Sequence, residues 1–186
     1  YPNRAAWDKA AASVQYRDLS ARFASIYSLG MKRSAALNLV IPAALLRQRI
    51  AQIVRREPRR YPFKPSPLLS QAPPEARAPL KVFEEVIQAN LEYGREGMVI
   101  VNFAKGGTRE QRRANAGYGG EMFNLFAETG AGPTHRGKAV TLEGTADFDQ
   151  VIIVFYPGVE FFGEMIKSQF YTGIFGGKQL LSLIHI

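Results

Sequence analysis

Few side chains in this sequence are equipped for acid–base or nucleophilic work. Two histidines and no cysteine occur in 186 residues. Without cysteine there is no disulfide, thiolate metal site or thiol nucleophile, a usage that suits a reducing, cytoplasmic compartment. His135 lies in Thr134-His135-Arg136-Gly137, read as a turn ahead of a strand. An imidazole there works as a general base, and so as a catalytic group, only beside a carboxylate, and Glu143 or Asp149 is near enough in sequence to fold back towards it. The alternative is a solvated histidine in a glycine-rich turn. No His pair or His–Glu helical spacing is present, which argues against a metal site.

Asn102, Glu143, Tyr118 and Tyr156 are candidates for lining a pocket. Asn102 interrupts an apolar run on the face of Met98 and Ile100. A buried amide needs partners, so it either binds a ligand or ties down neighbouring backbone. Glu143 shares a strand face with Thr141, as a pocket carboxylate or as a strand-end charge in water. Tyr118 and Tyr156, with Tyr171, either present hydroxyls to a ligand or serve as core aromatics. Gly106-Gly107-Thr108 and Gly117-Tyr118-Gly119-Gly120 lack the Walker and dinucleotide spacings, and there is no Gly-x-Ser-x-Gly elbow.

The elements that must position these residues are read from periodicity. Helices are expected over Arg4–Ser28, Ala43–Glu57, Leu80–Leu91, Arg112–Thr129 and Val159–Tyr171, and strands over Ala36–Ile41, Met98–Phe103, Lys138–Thr145 and Asp149–Tyr156. In the second helix Leu46, Ile50, Ile53 and Val54 form the stripe expected to pack inward. Pro42 is expected to end the first strand, and Pro58 the helix after it. From residue 80 the order is helix, then strand–helix–strand–strand–helix, a ferredoxin-like split βαβ unit short of its last strand. Met98–Val101 and Val151–Phe155 are apolar on both alternating faces, so the side away from the helices is expected to be covered, most simply by another sheet.

Charge divides the chain. Residues 1–95 hold 16 basic and 7 acidic side chains, residues 96–186 hold 8 and 9. Arg47, Arg49, Arg55, Arg56, Arg59, Arg60 and Lys64 face Glu57 alone, and seven of the eleven prolines fall between Pro58 and Pro79. A basic helix and a proline-rich extended linker are therefore expected over 43–79. Such a run contacts anions, nucleic acid or an anionic lipid surface nonspecifically, or is a solvated connector. With no reader motif, nucleic acid is the less favoured partner. No stretch reaches the ~20 apolar residues of a membrane span.

A shift of 155 residues lays the first sixteen positions on Tyr156–Tyr171, matching Tyr1-Pro2 with Tyr156-Pro157, Trp7 with Phe162, Ser13 with Ser168 and Tyr16 with Tyr171. The expectation is a tandem. Residues 1–42 are the end of a first ferredoxin-like unit, 43–79 the basic helix and linker, and 80–180 a second unit lacking its last strand. The last six residues, Leu-Ser-Leu-Ile-His-Ile, are what a transposase end sequence used in sequencing libraries would encode. Residues 181–186 are thus expected to be adapter-derived, His185 is set aside, and a start at Tyr1 rather than Met agrees with a fragment open at both ends, so a leader peptide would lie outside it.

Leu142-Glu143-Gly144, Phe148-Asp149-Gln150-Val151 through Phe155-Tyr156-Pro157, and Ser168-Gln169-Phe170-Tyr171 resemble the pattern of domain-of-unknown-function family 1330, and Met98–Phe103 is similar to its first strand. The resemblance covers about Gly97–Tyr171 and, more faintly, Tyr1–Ile41. It implies an α+β fold of the dimeric α+β barrel superfamily, in which two ferredoxin-like sheets pack face to face, here within one chain or by self-association, with a cleft between sheet and helices. It implies no settled activity. The expected function is binding of a small, partly apolar molecule in that cleft, with acid–base chemistry and no tightly held cofactor. The competing expectation is a non-catalytic assembly module. Convergent, unpartnered Asn102 and Glu143 favour the first; a cleft filled with aromatics favours the second.

Overall fold

The computed structural model describes residues 3–33, 35–67, 81, 84–90, 92 and 96–179. The expected tail at 181–186 and the linker beyond residue 67 lie outside them. The fold is α+β: one four-stranded antiparallel sheet with helices packed on it.

The opening helix is two helices, α1 (Arg4–Ala11) and α2 (Val14–Ser20), rather than one over Arg4–Ser28. Ser13 makes the break: its hydroxyl donates to the Ala10 carbonyl at 2.6 Å and accepts from the Tyr16 N–H at 3.2 Å, capping α2. The first strand is β1, Ser28–Arg33, and residues 36–41 enter α3, Leu37–Arg55. The strand expected at Ala36–Ile41 is thus corrected. Two β-branched residues and Pro42 are weak local signals, and Pro42 is held inside the helix. Ser28–Arg33, with Gly30 at its centre, is extended because it pairs with a neighbouring strand. Arg56, with φ 53°, closes α3 in the left-handed conformation.

Residues 84–89 are helical, within the expected 80–91. There follow β2 (Met98–Ala104), α4 (Arg109–Thr129), β3 (Gly132–Glu143), β4 (Gln150–Tyr156), α5 (Val159–Ile166) and α6 (Gln169–Gln179). A capping box of Thr108 and Gln111 starts α4, and Gly130 at φ 75° ends it. The strand order is β1-β3-β4-β2, every pair antiparallel. With β4 between β2 and β3, the segment β2–α4–β3–β4–α5 has the split βαβ topology. β1 occupies the outer edge of β3.

The single helix expected over Val159–Tyr171 is likewise two, α5 and α6, because Ser168 breaks it as Ser13 breaks the opening one. Shifted by 155 residues, Arg4–Ala11 coincides with Val159–Ile166, and Val14 with Gln169, the first residue of α6. Ser168 repeats Ser13, donating to Met165 O at 2.6 Å and accepting from Tyr171 N at 3.1 Å.

Alternation sorts the sheet into two faces. Met98, Ile100, Asn102, Ile152, Val154 and Tyr156 turn towards the helices, where Leu125, Met165 and Ile166 are 0–2% exposed. Val99, Val101, Phe103, Val151, Ile153 and Phe155 occupy the opposite face, on which Val99 and Val101 are 56% and 48% exposed.

α3 lies against α4 the other way round from the expected arrangement. Leu46, Ile50, Ile53 and Val54 are 54–76% exposed. Gln48 instead donates to Asn124 Oδ1, and buried Gln52 to the Asn124 carbonyl, each at 2.8 Å. These two amide bonds, with Leu45 packed against the core, set the rotation of α3 about its axis, and propensity carries no information about that rotation. The segment after α3 is a docked strap as far as Pro67. Glu128 accepts from the Arg60 and Tyr61 N–H groups, Ser66 N donates to Lys167 O, and Gln169 N donates to Lys64 O.

Candidate functional site

The five candidate residues do not converge on one site. Tyr118 and Tyr156 share the helix side of the sheet. The Tyr118 ring meets that of Tyr171 edge-on at 6.4 Å, with a hydrogen bond between the two side chains. Tyr156 is held between Phe126 and Phe162, with centroids 5.9 and 5.1 Å away. Burial pushes both phenols above the ordinary tyrosine range, Tyr118 further, and nearby tyrosines add to it. Asn102 is on the same face, but it pairs with Ile152, four residues from Tyr156 and roughly 13 Å along the strand. Its amide reaches the Ile100 and Ile152 carbonyls, each at 3.4 Å.

His135 is in β3, not in a turn. Gly130, Gly132 and Pro133 carry turn composition, yet the chain there is extended, with a register shift between Pro133 and His135 that restores the pairing. His135 pairs with Ile153 and so faces away from Tyr118, Tyr156 and Asn102. Its Nδ1 is buried without a hydrogen-bond partner among the described residues. Glu143 is eight residues further along β3, roughly 26 Å away. Asp149 is bound elsewhere, accepting from the Gly106 N–H. The carboxylate that base chemistry at His135 requires is therefore supplied by neither.

Glu143 ends β3 at the seam with β1. One of its oxygens accepts from the Tyr16 hydroxyl and from Ser28 Oγ, the latter at 3.1 Å, while Tyr16 and Ser28 lie 3.2 Å apart. Tyr16 stacks edge-on with buried Trp7 at 5.4 Å. Tyr16 and Ser28 are the residues that motif reasoning missed at this site. The available signal was the 155-residue shift, which lays Tyr16 on Tyr171. Among the described residues no three His, Cys, Asp or Glu side chains gather closely enough to hold a metal ion, and no helix is long and apolar enough to cross a membrane.

Concave surface is found elsewhere among the described residues. Two adjoining depressions of about 310 and 340 Å³ share Arg49, Arg59 and Glu128. The first also has Arg56, Glu57 and Arg60 on its wall; the second has Tyr61, Pro157 and Phe161. Arg60 lies 3.9 Å from Glu57 and 3.5 Å from Glu121, and Glu128 is occupied by two backbone N–H groups. The wall is thus strongly basic at one end and aromatic at the other.

No family model matches the chain, and no curated protein matches it. It is similar to the crystal structure of a structural-genomics target of unknown function from Rhodopseudomonas palustris, at 24% identity and a TM-score of 0.46, over 56% of this chain and 88% of that one. A structure of the methylated protein is similar at 22% identity and the same TM-score, over 56% and 87%.

Proposed function

We propose that the chain is an assembly module of the α+β barrel kind, a tandem of ferredoxin-like units related to domain-of-unknown-function family 1330, rather than an enzyme built around His135 and Glu143. The observation that carries this reading is the seam. β1, following the first helical pair, joins the edge of β3, and Tyr16 from that pair bonds Glu143 at the end of β3. The carboxylate best placed for chemistry is spent on holding the two parts together. The matching boundaries and serine caps of the two helical pairs support a duplication. The space between sheet and helices is filled by Tyr118, Phe126, Tyr156, Phe162 and Tyr171, the arrangement expected of a module and not of a ligand cleft. The opposite face, with Val99 and Val101 about half exposed, suits burial under a second sheet.

Sedimentation velocity tests this. The chain is expected to sediment as a dimer and Val101→Glu as a monomer, because a charge under a second sheet is costly. A monomeric parent that takes up an apolar fluorophore at one site, lost in Tyr118→Ala, would favour the small-molecule reading instead.

A second reading rests on the basic depression. Arg49, Arg56 and Arg59 on one wall suit weak binding of anions, nucleic acid included. Affinity for duplex DNA should then fall steeply with salt and vanish when Arg56 and Arg59 are both changed to Glu; no binding at low salt would dispose of it.

A further inference from the structure

α3 presents to solvent a row that most helices bury. Leu39, Leu46, Ile50 and Ile53 are 79%, 63%, 54% and 61% exposed, and Ala43 between them is exposed too. Their spacing is four, three, four, three, the alternation of a heptad seam: Leu39, Leu46 and Ile53 at one core position, Ala43 and Ile50 at the other. A helix packing on its own domain has a broader stripe at 3.6-residue spacing. Here the domain-facing side carries Leu45, packed against the core, together with Gln48 and Gln52, both bonded to Asn124.

We propose that this seam docks an amphipathic helix of a partner protein whose flanks are acidic. The charge on α3 commits it to that partner. Leu37–Arg56 contains no Asp or Glu, and the charged positions flanking the seam are Arg47 on one side and Arg49 on the other, with Arg56 just past the helix end. In paired helices the flanking charges select the partner, and glutamates there complement arginines. A second copy of α3 brings only further arginines, and an antiparallel pair centred on Leu46 sets Arg47 opposite Arg47. A lipid surface fits less well. The row beside the seam, Val40–Arg47–Val54, is broken by a charge, and α3 has none of the aromatic residues that anchor interfacial helices. The proposal is independent of the sheet-to-sheet assembly above, which uses the opposite face of β2 and β4.

The test uses the whole chain and two labelled synthetic three-heptad peptides with the same Leu/Ile seam, one flanked by Glu and the other by Lys. Fluorescence anisotropy is expected to give the Glu peptide on the order of tenfold tighter binding, weakening with added salt. Ile50→Lys should abolish it without changing the melting temperature, since Ile50 is more than half exposed. Val101→Glu should leave it intact, which separates this surface from the sheet face. Equal binding of both peptides, or binding that survives Ile50→Lys, would overturn the proposal. So would tighter binding to phosphatidylserine vesicles than to the Glu peptide, or self-association lost in Ile50→Lys.

Discussion

Two serines do the same work in different surroundings. Ser168 is fully buried, and its hydroxyl bonds Met165 O and Tyr171 N; Ser13 makes the equivalent bonds while half-buried. Alanine at Ser168 leaves a buried N–H unsatisfied and should cost about 1–2 kcal/mol, whereas Ser13→Ala should cost about 0.5–1 kcal/mol, both read from urea unfolding. The buried phenols give a pH dependence of known sign. Tyr118 and Tyr156 have folded pKa values raised by burial. Their neutral forms favour the fold fully below the unfolded value of about 10, and that stability is lost as pH rises above it. In an alkaline absorbance titration, Tyr118 and Tyr156 should ionise only as the circular dichroism signal collapses. Separate titration of both in the folded protein would contradict the packing described. The candidate residues themselves were legible by type but not by place. Asn102 and Tyr156 are on the same strand pair and one face, as alternation requires. His135 is on the other face because a register shift in β3 sets its direction.

Elements were read well where a run of one period was long and capped. Arg112–Thr129 lies within α4; its Gly130 stop is plain in sequence, whereas the expected start is three residues late because the Thr108–Gln111 capping box goes unread. Short elements were read poorly. Residues 36–41 look like a strand and are helical, while Ser28–Arg33 lacks a strand pattern and is one, its backbone partners being supplied by β3 over a hundred residues later. The glycines divide on the same principle. Gly117, Gly119 and Gly120 on α4 have nothing within 4 Å of an added Cβ, so Gly117→Ala should stabilise by about 0.5–1 kcal/mol through helix propensity. At Gly137 an added Cβ would collide with the Lys32 carbonyl and with Met31. Gly137→Ala should therefore part β1 from β3 and cost about 1–3 kcal/mol. Melting temperatures that moved together would show that β1 does not pair as described.

For the whole molecule, the proposed assembly makes stability depend on concentration. If the open face is paired between copies, mass action should raise the melting temperature as protein concentration increases, and Val101→Glu should remove that dependence. A melting temperature constant over a hundredfold dilution, about 2.7 kcal/mol of linkage for tight pairing, would speak against it. By itself the sequence determined the α+β class, the strand–helix–strand–strand order over Met98–Tyr156 and the concentration of arginine near α3. Each depends on local periodicity or composition. Tertiary structure alone decided that β1 caps the edge of β3, that Tyr16 reaches Glu143, that His135 turns from the tyrosines and that α3 shows its apolar seam to solvent. Those outcomes are matters of register and rotation, set by hydrogen bonds between residues far apart in the chain, and no local pattern encodes them.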